Sequence, residues 1–180
     1  SCSTQEENTA ESEDKNTEAI QKAERKSNED LLKGELTLTI DDVDYKLSDF
    51  DKRRSEITYM DDGTSLRLTS LDRKQSIKIL LTNIDLENTP QDISLNQQDE
   101  RKGMYVFQGF RGDMDNVSST TILNGSATIT EFDENTLQFK TNFKGTALHM
   151  QIVGGVKDTV MVKGALSVQL ETKIDTRKQN

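Results

Sequence analysis

The sequence predicts an all-β protein: an antiparallel β-sandwich or open barrel of about nine strands, preceded by a disordered or partly helical N-terminal tether. From residue 34 onward, apolar and polar residues alternate with a period of two, as expected for strands that bury one face. Short turn sequences rich in Asp, Asn and Gly separate these segments. Before residue 34 the chain is charged and contains no Phe, Tyr or Val. Together these observations favour a single β domain that follows a polar N-terminal tether.

The predicted tether, residues 1–33, carries nine acidic and five basic residues. Its few apolar side chains cannot offset the entropy lost on folding. A helical stripe of Ile20, Ala23, Ser27 and Leu31 follows a capping residue at Thr17. We therefore expect a charged tether with transient helix, and a partner-binding helix is the alternative.

The domain opens with a predicted β-hairpin, in which apolar residues alternate on either side of the turn Asp41-Asp42. The alternation recurs before and after a second turn, Asp61-Asp62-Gly63, and in one further strand. A polar segment at residues 83–102 contains the only proline and one short strand at residues 92–95. The alternating apolar positions up to residue 107 are Leu36, Leu38, Ile40, Val43, Tyr45, Leu47, Ile57, Tyr59, Leu66, Leu68, Ile77, Ile79, Leu81, Tyr105 and Phe107.

The last third of the chain is a predicted meander. Its turns are Asp133-Glu134-Asn135 and Gly154-Gly155, the second being a two-glycine hairpin signal, and a break is expected at Gly164. The β domain is assigned to residues 34–174 and a C-terminal tail to residues 175–180. The alternating positions are Ala127, Ile129, Leu137, Phe139, Phe143, Leu148, Met150, Ile152, Val160, Val162, Leu166, Val168 and Leu170.

The charge balance restricts the partners. With 23 basic and 32 acidic residues the net charge is −9, whereas a nucleic-acid-binding face needs clustered Lys and Arg. An acidic domain is also poorly suited to dock directly on an anionic bilayer. No cofactor is predicted.

Cys2 is the only cysteine, so it cannot form an internal disulfide. The alternatives at this position are a lipid anchor, a free thiol or an artefact of the terminus. Its setting, followed at once by polar residues, looks like the acylated first residue of a mature bacterial lipoprotein, whose signal peptide lay upstream and was removed. Stable anchoring takes more than one acyl chain, which suits a multiply acylated terminus carrying palmitate-type chains.

The strand and turn pattern resembles a group of small all-β outer-membrane lipoproteins of unknown function from Bacteroidota. The resemblance rests on the turn Asp41-Asp42, the aromatic and aliphatic pair Tyr45 and Leu47, and a closing segment at residues 125–133 followed by the strand at residues 164–168. It implies membrane attachment through the N-terminal lipid. In that group, acidic residues just after the lipidated cysteine act as a surface-export signal, and Glu6 and Glu7 occupy comparable positions. Display on the cell surface is therefore expected, with the periplasmic face as the alternative.

Few residues suggest chemistry. His149, the only histidine, is expected on the solvent face of a strand, and a zinc site of the usual N/S kind is not expected. No Gly-x-Ser-x-Gly elbow is present, and no catalytic residue is assigned. Of three acidic groups that could supply oxygen ligands to calcium, the best candidate is Asp113, Asp115 and Asn116, where turn chemistry is the competing explanation.

Two further motifs concern the surface. Arg111-Gly112-Asp113 matches the tripeptide that integrins recognise, but chance matches are frequent and turn chemistry in an exposed loop is the favoured explanation. Asp158-Thr159-Val160 resembles the sites that Bacteroidota O-glycosylate, so Thr159 is a candidate for modification.

These observations predict a non-catalytic, lipid-anchored domain that acts as a binding or accessory subunit, with an outer-membrane protein complex as the candidate partner. The alternative is a carrier of a small apolar ligand inside a strand barrel. A third hypothesis is a hydrolase, which would need a pocket with carboxylates of perturbed pKa.

Overall fold

The computed structural model describes residues 29–96, 103–108, 117–155 and 157–179. Within these ranges the chain is all-β, and no helix there is long and apolar enough to cross a membrane. The strands described are β1 Lys33–Ile40, β2 Val43–Leu47, β3 Glu56–Met60, β4 Gly63–Thr69, β5 Ser76–Thr82, β6 Gln91–Asn96, β7 Gly103–Gln108, β8 Ser118–Asp133, β9 Gln138–Gln151, β10 Lys157–Gln169 and β11 Lys173–Asp175.

The strands form one hydrogen-bonded series in the order β11-β3-β4-β5-β7-β8-β9-β10-β1-β2, with β6 also paired to β8. The long strand β8 pairs with β7 through its first residues and with β6 through its middle. It therefore links two sheets that pack as a sandwich, and the series is not closed into a barrel. The predicted fold class is confirmed, and of its two forms the sandwich is the one observed.

The core lies between the inward faces of the strands. In β1 the inward residues Leu36, Leu38 and Ile40 are buried, as the alternation predicts. Asp41 and Asp42 both have positive φ, which matches the two-residue turn that joins β1 to β2. The largest fully buried side chains include Phe50, Phe139, Ile57, Leu66, Leu68, Ile77, Leu81, Ile129, Leu166 and Leu170.

Strand β2 is an edge strand whose inward side chains lie at the margin of the core and are partly exposed to solvent. Val43 and Tyr45 stand directly opposite the buried Ile40 and Leu38, yet they are 53% and 43% exposed. An edge strand has a neighbour on one side only, which leaves its inward face partly uncovered.

The predicted break at Gly164 is wrong, because β10 runs without interruption from Lys157 to Gln169. The glycine serves packing instead. A Cβ atom at position 164 would lie 2.5 Å from Cζ of Phe143 and 2.4 Å from the carbonyl oxygen of Thr37. Position 164 therefore has room for a backbone alone, with the Phe143 ring over it.

The predicted C-terminal tail begins inside the sheet. β11 pairs parallel with β3, from Lys173 to Asp175, which is the exception to the antiparallel pairing expected for the domain. Beyond it, the Thr176 N–H donates to the Tyr59 carbonyl at 2.9 Å, and the Lys178 N–H donates to a carboxylate oxygen of Asp61 at 2.8 Å. Residues that follow residue 174 therefore extend the sheet edge.

Residues 32–180 form one compact unit, separate from the residues before it. This unit begins with Leu32, which is buried in the core, and the Leu32 N–H donates to the Phe50 carbonyl at 2.9 Å.

Candidate functional site

A row of polar side chains crosses the outward face of one sheet. Strand pairing places Ser126 of β8 opposite Lys144 of β9, Lys144 opposite Lys163 of β10, and Lys163 opposite Thr39 of β1. Their chain neighbours Ala127, Phe143, Val162 and Ile40 are buried, so alternation directs the polar row to solvent. Two ammonium groups therefore stand on directly opposed positions of neighbouring strands.

These four residues line two adjoining surface depressions, which we call the lysine groove. The smaller depression has a volume of about 380 Å³ and also contacts Thr37, Thr128 and Asn142. The larger, of about 660 Å³, extends to Asp41 and Asp42 at the turn between β1 and β2. Among the described residues, carboxylates line the larger depression and not the smaller one.

The groove contains hydrogen-bond donors that have no side-chain partner among the described residues. In the described part of the chain, neither lysine lies within 4 Å of a carboxylate oxygen, and the hydroxyl of Ser126 and the amide of Asn142 make no side-chain hydrogen bond. The threonine hydroxyls differ. Thr39 donates to Asp44 at 2.7 Å and Thr128 donates to Asp92 at 2.6 Å. The flanking carboxylates are thus engaged by threonines, and the central donors remain available.

His149 lies elsewhere on β9, where strand pairing puts it between Thr120 of β8 and Asp158 of β10. The expectation that it lies on the solvent face is wrong. It occupies the inward side of β9 with Ala147, is half-buried, and its Nδ1 lies 2.8 Å from the Thr120 hydroxyl oxygen. In a catalytic triad, Nδ1 faces the carboxylate and Nε2 the nucleophile. This order is not met, and Thr120 is buried at 3% exposure.

Three carboxyl groups that have a lowered pKa accept hydrogen bonds within turns and so stabilise them. Burial raises the pKa of Asp51, but hydrogen bonds from the Arg53 N–H and the Arg54 guanidinium outweigh it and leave this pKa below its ordinary value. The Ser70 hydroxyl is the main cause that lowers the pKa of Asp72. Hydrogen bonds from turn N–H groups likewise lower the pKa of Asp133.

At the sheet edge, Tyr59 has a buried phenol. Burial, with the negative charge of Glu134, raises its pKa to about 12, and its Oη has no hydrogen-bond partner among the described residues. The Arg177 guanidinium lies 4.9 Å from the ring centroid, while hydrogen bonds from Arg177 lower the pKa of Asp175 to about 2.

Several predicted sites lie outside the described residues: Cys2, Glu6, Glu7, the motif at residues 111–113, and the calcium candidate Asp113, Asp115 and Asn116. Thr159 is described, and it is exposed in β10 opposite Leu148. Within the described ranges no group of three or more His, Cys, Asp or Glu side chains is placed to hold a metal ion.

Comparison of the chain with models of protein families, with curated proteins and with solved structures finds no match. Function must therefore be argued from the groove and from the sequence signals.

Sequence reasoning missed the lysine groove. Lys144 and Lys163 are ordinary solvent-face lysines until the register of β9 against β10 is known. The available signal was their placement on the polar face of two strands joined by one hairpin.

Proposed function

We propose that the protein is a lipid-anchored, non-catalytic β domain, displayed at the surface of the bacterial outer membrane, that acts as a binding or accessory subunit through the lysine groove. The observation that carries the binding role is the set of unpartnered donors: Lys144, Lys163, Ser126 and Asn142 converge on one depression. Donors without internal partners suit the recognition of an acceptor-rich ligand.

The non-catalytic part of the proposal is supported by what the perturbed carboxylates do. Asp51 accepts hydrogen bonds from the turn that follows it. Asp72 accepts from the Ser70 hydroxyl and the Lys74 N–H. A lowered pKa keeps these groups ionised in structural turns, whereas a catalytic acid needs a raised one.

The barrel-carrier alternative gains no support from the geometry, because the strand series is open between β11 and β2. The hydrolase alternative lacks a favouring observation too, since the Thr120, His149 and Asp158 row does not have triad geometry.

The anchor is tested by replacing Cys2 with Ala and separating membranes from soluble material, with Ser3→Ala as the matched control. We expect Cys2→Ala alone to abolish labelling by radioactive palmitate and to release the protein from the membrane fraction. Equal membrane association of the two variants would contradict the anchor.

Surface display is tested separately with Glu6→Ala/Glu7→Ala, and Glu11→Ala/Glu13→Ala is the control of equal charge. Protease added to intact cells should degrade the wild type and the control while sparing the first variant. If all three are degraded equally, the export signal is wrong and the anchor still stands.

The accessory role is tested by crosslinking the acylated protein in its native membrane and identifying the partners by mass spectrometry. Recovery of an outer-membrane protein with the wild type but not with Lys144→Gln/Lys163→Gln would support partner binding through the groove.

A further inference from the structure

We infer that the lysine groove binds an oxyanion group, a phosphate, sulfate or carboxylate, between the ammonium groups of Lys144 and Lys163. This inference rests on the proposed binding function and names the ligand chemistry of its site.

The first argument is electrostatic. Lys144 and Lys163 are direct cross-strand partners, and like charges at such positions destabilise a sheet. The chain has 32 acidic residues and a net charge of −9. Even so, within the described ranges no carboxylate neutralises the pair. An anion between the two ammonium groups would convert this repulsion into two charge-assisted hydrogen bonds.

The second argument concerns the charged groups around the pair. Asp44 and Asp92, which flank the row, accept hydrogen bonds from Thr39 and Thr128. Asp41 lines the larger depression, where one of its carboxylate oxygens accepts from the Met161 N–H at 2.9 Å.

The remaining carboxylate of the larger depression, Asp42, lies at the turn between β1 and β2. The smaller depression is lined by both lysines and, as far as the described residues go, by no carboxylate. The oxyanion is therefore assigned to this smaller depression.

The third argument is the chemistry of the lining. Ser126 and Asn142 add a hydroxyl and an amide donor beside the lysines. Lysine acts as a point charge and imposes no fork geometry, so the pair suits tetrahedral and planar oxyanions alike. A volume of about 380 Å³ holds more than one such group, which leaves room for the molecule that carries it.

The test is calorimetric titration of the full chain at pH 7 and low ionic strength with sodium phosphate, sodium sulfate and sodium glucuronate, using sodium chloride as the reference. We expect saturable binding of at least one oxyanion, lost about tenfold or more in Lys144→Gln and in Lys163→Gln, since each removes a hydrogen bond to a charged group. Tighter binding of glucuronate than of phosphate would indicate that the sugar ring, which carries the carboxylate, also contacts the depression.

Lys78→Gln is the matched control. Lys78 is an exposed strand residue that also stands opposite a cation, Arg67, but Arg67 is paired to Glu56 at 2.7 Å. Binding that falls equally in this variant, or that does not exceed chloride, overturns the inference.

The melting temperature is a second measurement, which distinguishes loss of the anion site from misfolding of the variant. Without added anion, Lys163→Gln should melt at the same temperature as the wild type or higher, because it removes a repulsion. Phosphate should raise the melting temperature of the wild type more than that of the variant, and an equal rise in both contradicts the site. Loss of membrane association in Cys2→Ala bears on the proposed function alone, so the two can fail separately.

Discussion

Replacing Gly164 with Ala tests how tightly strand β10 packs against β1 and β9, the strands that carry the lysine groove. A Cβ atom there would lie 2.4 Å from the Thr37 carbonyl oxygen and 2.5 Å from Cζ of Phe143, whereas ordinary contacts are 3.4–4 Å. Strands β1 and β10 would have to separate, or the ring would have to lift, by roughly 1 Å. Overpacking of this kind costs about 1–3 kcal/mol.

The assay is urea unfolding of the full chain, which compares midpoints at constant m-value. A loss of about 2 kcal/mol would also lower the melting temperature by roughly 4–8 °C for a domain of this size. Gly155→Asn is the control, because nothing lies within 4 Å of a Cβ there and its φ of +64° is tolerated by Asn. It should change stability little.

A double-mutant cycle with Phe143→Ala separates the two contacts. Phe143→Ala alone should cost about 3–5 kcal/mol, because the ring is buried. In that background Gly164→Ala should cost less, and the remaining cost reports the Thr37 carbonyl. A neutral or stabilising Gly164→Ala in the wild type would refute the reasoning, since that is the result expected of a glycine that merely interrupts a strand.

Three further predictions concern stability. Tyr59→Phe should stabilise the domain by roughly 1 kcal/mol in urea unfolding, because it removes a buried hydroxyl that has no partner among the described residues; destabilisation would show that the hydroxyl is bonded. Deleting residues 176–180 should cost about 1–3 kcal/mol through the lost hydrogen bonds to β3, and an unchanged unfolding midpoint would mean that this segment contributes nothing. Because the pKa of Asp51 is lowered by folding, its stabilisation is present above pH 3.8 and is lost as the pH falls through its folded pKa. The gap in stability between wild type and Asp51→Asn should therefore shrink on acidification, and a gap independent of pH would contradict this.

Local sequence was sufficient to predict the pairing and the inward faces of strands that are joined by a two-residue turn. The turn Asp41-Asp42 sets the pairing of Ile40 with Val43 directly, and the alternation on either side then assigns every face. The exposure of Val43 and Tyr45 could not be predicted in this way, because it depends on β2 being an edge strand.

Gly164 shows a second limit. A glycine within an alternating segment indicates either a break in the strand or the close approach of another group to its backbone. The two cases differ only in which neighbouring side chain packs over the glycine. The Phe143 ring decides the case here, and it comes from another strand. The parallel pairing of β11 with β3 joins residues more than a hundred positions apart, so no local pattern indicates it.

The composition and the period of two by themselves determined an all-β domain, most of the residues that face its core and most of its turns, because side-chain direction in a strand is a local property. The register between strands was decided only by the tertiary structure. A two-residue loop at Gly154-Gly155 would have placed Lys144 opposite Ala165, but β9 ends at Gln151 and β10 begins at Lys157. The connection is centred one residue before Gly154-Gly155, because Met150 pairs with Lys157; this shifts the pairing by two positions and brings Lys144 opposite Lys163. The candidate site therefore exists because of where the turn lies between the two strands and how they pair, which no alternation of residues encodes.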